Sequence, residues 1–487
     1  MRGLSGKMWR FSPKRKEAQE AGEVPVASNL AIMDIQGLYS IFKECSSVTT
    51  DSRNISGGEM FVALKGENFN GNEFALKALT AGAKYAVVDA ASTAAVSGDE
   101  RVIPVPDTLQ TLQDLARYHR ENTFVGGKRL TVIGLTGTNG KTTTKELITR
   151  VLSAKYNVTA TRGNLNNDIG VPLSLLSING DTELAVIEMG ANHPDDISKL
   201  VNVCEPDYGL ITNVGRAHLL GFGSFEGVKK AKGQLYDYLA AHGGQAFVNA
   251  DDPDLMAMAS AHWSLSGVEG RSCGSTQLTD RVIPYGLSYL QAEVLPSSAE
   301  HPYLRMRLPD GLLIETHLAG AYNATNVAAA LAVGQHFGVS LEDGIKAVGE
   351  YIPKNNRSQM EKTDRNILIQ DAYNANPTSM AAALDNLGHV EAFRKAALLG
   401  DMRELGEESL SEHHKVLSQV LSMGLDFVCL VGEEFRKALA GIQRDDVFWF
   451  ATSEELAEWL KANPVSGFTI LVKGSRGIQM EKALPEL

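Results

Sequence analysis

A chain of 487 residues is too long for one ordinary domain, and typical domain sizes put the expectation at about three. Hydrophobic residues at 44% and charged residues at 21% exclude a disordered or fibrous chain, and a formal net charge of -12 speaks against a nucleic-acid partner while allowing a local cationic pocket for anionic substrates. The four cysteines (Cys45, Cys204, Cys273, Cys429) lie far apart without a CxxC pair, which fits a reducing, cytoplasmic setting, and no run approaches the roughly 18 apolar residues of a membrane helix.

In chain order, the N-terminus is basic and lacks the apolar stretch of a secretory signal, so residues 1–30 are expected to be a disordered extension, with Met33 as an alternative start. Residues 31–108 carry two short apolar runs, MFVAL (60–64) and YAVVDA (85–90), around a Gly/Asn-rich turn, and predict a small α/β domain. From 109 to 350 strands alternate with helices. RLTVIGL precedes the helical run KTTTKELITRVLSA, and ELAVIE (183–188), YGLITN (208–213) and QAFVNA (245–250) follow. That alternation predicts a parallel, doubly wound central sheet with its site at the strand carboxyl ends. From 351 to 487 the pattern restarts with NILIQD, KAALLGD, DFVCLVG, DVFWFA and FTILVKG, predicting a Rossmann-like C-terminal domain. The fold class is therefore α/β with three domains.

The strongest local signal is Thr136-Gly137-Thr138-Asn139-Gly140-Lys141-Thr142, a loop between a strand and a helix. Backbone N–H groups around Gly137–Lys141 are placed to wrap phosphate oxygens at a helix N-terminus. Lys141 is expected to reach the β/γ-phosphates and the Thr142 hydroxyl to ligate Mg²⁺, with Thr143 beside it. The general GxxxxGK[ST] spacing is missed by one position, because Leu135 stands where its first glycine would fall and Gly134 precedes it. On its own the loop predicts a bound nucleotide and names no reaction.

Six further runs, TRGNLNNDIGVPLSLL (161–176), EMGANHPDDI (188–197), NVGRAHLLGFGSFEGVKKAKGQLY (213–236), DAYNANPTSM (371–380), LGDMRELGEES (399–409) and LVKGSRG (471–477), together resemble the Mur ligases over about residues 33 to 487. DAYNANP, ANHPDDI and GDMRELGEES favour the branch that adds D-alanyl-D-alanine to a UDP-muramoyl tripeptide. The resemblance implies an ATP-dependent carbon–nitrogen ligase of peptidoglycan synthesis, monomeric and cytoplasmic. ATP would phosphorylate the peptide's terminal carboxylate, and the amine would attack the resulting acyl phosphate. The rivals are a sibling ligase adding a single amino acid, a folylpolyglutamate-type ligase, a P-loop ATPase of another class and a catalytically dead nucleotide-binding scaffold.

By the same resemblance, Glu188 and Thr142 hold a magnesium, while His218 and a carbamylated Lys232 belong to a second one. Read without it, Lys232 sits with Lys229 and Lys230 in what looks like a solvated helix face. Thr161, Asn164, Asn166 and Asn167, with Ser52 and Arg53 of the N-terminal domain, fall to the UDP substrate. Asn323 falls to adenine, next to Tyr322 where the family commonly has histidine, and Asn326 shares that segment. Asp371, preceded by Gln370, falls to the ATP ribose, and Arg357 to the γ-phosphate. Asn374, Lys473, Ser475 and Arg476 are the candidates for the amine substrate.

Overall fold

The computed structural model describes residues 33–263, 280–297, 301–353 and 359–487. The expected extension 1–30 and Arg357 lie outside the described residues.

Three sheets organise the chain. In the first, β1 (Val48–Thr49), β2 (Met60–Val62), β3 (Tyr85–Asp89) and β4 (Val102–Val105) run parallel in that order. The second comprises β5 (Thr131–Thr136), β6 (Val158–Ala160), β7 (Leu184–Glu188), β8 (Tyr208–Ile211), β9 (Gln245–Asn249) and β10 (Val282–Tyr285). Its spatial order is β6-β7-β5-β8-β9-β10, and every neighbouring pair is parallel. Since β5 is central, the loop leaving it emerges between the carboxyl ends of β7 and β8, where the chain switches sides. Strands buried on both faces read as apolar runs, and Val132, Ile133 and Leu135 are fully buried.

Helix α1 (Thr108–Glu121) lays Leu112, Leu115 and Ala116 into one core with Leu175, Ile197 and Leu200, so the first and second sheets share a hydrophobic interior. On the opposite face, α2 (Lys141–Leu152) buries Leu147, Ile148, Val151 and Leu152. In α3 (Phe225–His242) the buried positions Val228, Lys232, Leu235 and Leu239 repeat at helical spacing. The alanine-rich α4 (Ala324–His336) packs on α2. A three-stranded antiparallel sheet, β11 (Glu293–Leu295), β12 (Arg305–Arg307) and β13 (Leu313–Glu315), precedes α4. It goes unpredicted because three-residue strands with exposed alternate positions carry too short a periodic signal.

The third sheet contains β14 (Gln359–Lys362), β15 (Ile367–Asp371), β16 (Lys395–Gly400), β17 (Phe427–Val431), β18 (Val447–Phe450) and β19 (Thr469–Lys473). Their order is β14-β15-β19-β16-β17-β18, with only β14 antiparallel. The polar QMEK of β14 hid this edge strand from sequence reading, which began the sheet at NILIQD.

Candidate active site

The loop 136–140 is built around two glycines in the left-handed region. Gly137 has φ 149° and packs so closely on Thr212 that a Cβ would lie 1.9 Å from its Oγ1. Gly140 (φ 77°) is the N-cap of α2, and a Cβ there would meet Asn326 Oδ1 at 2.8 Å. Neighbours clamp the loop. Asn139 N–H donates to Asn213 Oδ1 (2.9 Å), and its carbonyl accepts from Thr212 Oγ1 (2.6 Å) and Asn213 Nδ2 (3.0 Å). Lys141 Nζ donates to the carbonyls of Gly137 (2.7 Å) and Thr138 (3.0 Å).

Glu188, at the carboxyl end of β7, is 1% exposed. Its Oε1 accepts from Thr142 Oγ1 (3.1 Å) and Asn166 Nδ2 (2.8 Å), and its backbone N–H donates to Thr161 Oγ1 (2.9 Å). Its Oε2 is buried with no hydrogen-bond partner. A carboxylate oxygen in that condition is costly unless a cation uses it. Among the described residues no group of three His, Cys, Asp or Glu side chains forms a ready cage. Magnesium needs none, since it binds through one or two protein oxygens plus substrate phosphates. Thr142 and Glu188 fit that donor set.

Lys232 is 2% exposed, whereas Lys229 and Lys230 on the same helix reach solvent. Its Nζ lies 5.8 Å from the Phe222 ring centroid and makes no ion pair among the described residues. Burial, then the charge of Lys141, push the Lys232 amine well below its ordinary pKa. His218 adopts a left-handed backbone (φ 52°), and its Nδ1 meets Glu404 Oε2, which reaches in from the C-terminal domain. Burial holds the His218 pKa below 6.5 against the raising effect of Glu404.

While Thr142 and Lys232 stay buried outside its lining, Lys141, Glu188 and His218 face a cleft of about 700 Å³ between the second and third sheets. It is lined by Thr138–Lys141, Thr143, Asn164, Asn166, Asn167, Glu188, His218, Tyr322, Asn323, Asp371, Asn374 and Lys473. Asn323 is buried, donating to Ala319 O (2.8 Å) and accepting from Asn326, which in turn accepts from Thr144 on α2. Thr161 is buried behind Glu188 and does not line the cleft.

Not every expected residue comes to the cleft. Ser52 and Arg53 are absent from its lining, and Arg53 is exposed and paired with Asp51 (2.8 Å). Lys473 does line it, yet its Nζ is committed to Asp371 Oδ2 (2.5 Å) and Asn374 O (3.1 Å). Ser475 donates to Asp401 O (2.6 Å) and is buried in a structural turn, while Arg476 lies over the Tyr373 ring at 5.5 Å.

Sequence reading missed several contributors. Thr212, Asn213 and Lys145 carried no motif of their own. Asn376 exchanges two amide hydrogen bonds with Asn139, at 2.7 and 3.3 Å, joining the loop to the C-terminal domain. It also caps α5 (Pro377–His389), and Asn followed by Pro is a helix-start signature that could have located it.

The Mur ligase family catalytic domain matches residues 44–120, the Mur ligase middle domain 135–334 and the Mur ligase glutamate ligase domain 356–476. The chain is 33% identical over 446 residues to the UDP-N-acetylmuramoyl-tripeptide–D-alanyl-D-alanine ligase of Bacillus subtilis (strain 168), covering 90% of this chain and 92% of the relative. It is likewise 33% identical to the ligase of that name from Escherichia coli (strain K12), covering 91% and 93%. Among solved structures it is similar to MurF from Acinetobacter baumannii, with TM-score 0.77, 30% identity and coverage of 93% and 98%. MurF ligase from Thermotoga maritima in complex with ADP gives TM-score 0.75, 25% identity and coverage of 92% and 97%.

Proposed function

Because the chain belongs to the Mur ligase family, we propose that it uses ATP to join D-alanyl-D-alanine to the terminal carboxylate of a UDP-N-acetylmuramoyl tripeptide. The observation that carries this reading is the cleft itself. A phosphate loop and a buried carboxylate with an unused oxygen share one wall, the C-terminal sheet closes the other, and a buried lysine outside the lining acts electrostatically on His218. Likeness to the named ligases over nine-tenths of both chains supports the choice of substrates.

The α2 N-terminus and Lys141 take the ATP phosphates, Asn323 and Tyr322 the adenine, and Asp371 the ribose. Thr142 and Glu188 hold one Mg²⁺, and His218 with Lys232 a second. Bound metal neutralises charge where the γ-phosphate and the peptide carboxylate meet. The depressed Lys232 amine supports its carbamylation, because only the neutral amine attacks carbon dioxide, releasing a proton and leaving an anion. Asn164, Asn166 and Asn167 line the same cleft and orient the muramoyl peptide, with Ser52 and Arg53 holding the distal diphosphate. The amine enters beside Asn374, attacks the acyl phosphate and expels phosphate, shielded from water by the C-terminal domain. In this assignment residues 31–108 bind the UDP substrate, 109–350 bind ATP and 351–487 bind the ribose and the amine. The enzyme works as a cytoplasmic monomer, and among the described residues no helix is long and apolar enough to cross a membrane.

The test is phosphate release and product mass with ATP, Mg²⁺, UDP-muramoyl tripeptides and a panel of amines. The expected product is the pentapeptide, formed only with D-alanyl-D-alanine. Coupling of glutamate or diaminopimelate instead, or ATP hydrolysis without an acceptor, would overturn the reading.

A further inference from the structure

Lys145 lies one helical turn after Lys141 on α2 and is 1% exposed. A lysine is almost never buried without a partner, and this one has three. Its Nζ donates to Thr161 O (2.6 Å), pairs with Glu146 Oε1 (3.0 Å) and stops 4.0 Å from Glu188 Oε2. The last distance is the informative one. The ammonium is close enough to compensate the buried carboxylate, yet Oε2 keeps its lone pairs free of any hydrogen bond. Thr161 and Glu146 hold the amine back from closing that gap. Thr161 also accepts from the Glu188 N–H, so the same tether fixes the carboxylate's backbone.

We propose that Lys145 is a positioning residue that stands in for the metal, balancing Glu188 in the nucleotide-free enzyme while leaving its Oε2 open. The inference rests on reading Glu188 as a metal ligand. Two consequences follow from charge alone. An ammonium already paired with Glu188 repels an arriving dication, so free metal binds weakly and loads chiefly with the nucleotide, whose phosphates outweigh the repulsion. Without the ammonium, the buried carboxylate is uncompensated and demands a metal.

The experiment is Mn²⁺ binding, followed by electron paramagnetic resonance, to the full chain with and without ADP, alongside thermal melts. Wild type should bind Mn²⁺ weakly alone and far more tightly with ADP. Lys145→Met, which retains the aliphatic stem, should bind Mn²⁺ without ADP about tenfold more tightly than wild type or better. Its melting temperature should fall without metal and recover on adding Mn²⁺, with Lys145→Arg close to wild type. Loss of the gain in the Lys145→Met, Glu188→Gln double variant would place the effect on Glu188. If Lys145→Met binds free Mn²⁺ no better than wild type while Glu188→Gln still weakens the ADP-dependent site, Lys145 is only a tether and the proposal fails. Should Glu188→Gln leave Mn²⁺ binding untouched throughout, the metal-ligand reading itself fails. Wild type binding Mn²⁺ equally with and without ADP overturns the proposal whether or not the variants fold.

Discussion

A parallel central sheet and a C-terminal sheet parallel but for one edge strand present carboxyl ends to one cleft, and they treat their polar groups in opposite ways. At the end of the central sheet, Glu188 Oε2 and Thr136 Oγ1 are buried without hydrogen-bond partners, and Lys232 has no counter-ion among the described residues. At the end of the C-terminal sheet nearly everything is satisfied internally. Lys473 binds Asp371, Ser475 binds Asp401 O, and the Asp401 carboxylate accepts from Glu434 N (3.0 Å) and Phe435 N (2.9 Å). His413 is fully buried, accepting from Met402 N–H at Nε2 (3.1 Å) and meeting Ser409 O at Nδ1 (2.7 Å). Buried polar groups left unsatisfied are expensive, so a protein retains them where a ligand completes them. In the proposed reading the first edge is machinery, and most of the second is scaffold that positions Asp371.

The comparison fails if substitutions at the two edges have similar consequences. The largest contrast should come from Lys141→Ala. Phosphate release should fall by about 100- to 1000-fold, typical of removing a transition-state charge contact, with little change in melting temperature. A loss under tenfold would remove the loop from the chemistry. Asp401→Ala should show the opposite profile, costing about 2–3 kcal/mol in urea unfolding because one buried and one half-buried backbone N–H group lose their acceptor. A stable variant with crippled ATP turnover would move Asp401 into the machinery.

Acidification should sharpen the scaffold side. Burial lowers the pKa of His413, and of His119, whose ring contacts Tyr39 Oη and Ile178 O where the first two sheets join. Both folded values lie below 6.5, so under pH 6.5 the unfolded chain binds more protons. Stability is thus fully present above pH 6.5 and declines as the pH falls through the folded values, by at most about 1.4 kcal/mol per unit for each group. Melts between pH 8 and 5.5 check this, and His413→Gln should flatten the slope. A smaller effect separates the two functions of Asn376. Asn376→Ala should cost about 1 kcal/mol through the lost cap. Asn376→Asp keeps the acceptor for Ser379 N–H but loses the donor to Asn139 Oδ1, so turnover should fall severalfold with stability largely retained. Equal turnover in Asn376→Asp and wild type would show that the interdomain pair is dispensable.

Much of the architecture was legible because parallel strands buried on both faces are written as uninterrupted apolar runs. ELAVIE and FTILVKG lie within a residue or two of their observed strands, at Leu184–Glu188 and Thr469–Lys473. Short or polar edges such as β11–β13 and β14 were not legible, since their pairing is decided by neighbouring strands. In the site, Glu188 was readable as a strand-end acid, but its unused oxygen was not. Lys232 was ambiguous in sequence because Lys229 and Lys230 beside it do face solvent. Its burial depends on which face of α3 meets the core.

The strand–loop–helix unit around Lys141 was legible in sequence because its signal is local. Two glycines, a lysine and a helix start fall within seven residues, although the N–H groups of Thr138 and Asn139 are held by Asn213. Only the tertiary structure decided which charges around the loop are already paired. Lys473 meets Asp371 across 102 residues of chain, and Asn139 meets Asn376 across 237. Even Lys145, only four residues from Lys141, receives its environment from Thr161 and Glu188, brought beside it by strand order. A residue type states what a group is able to bind, whereas packing determines whether that capacity has been used.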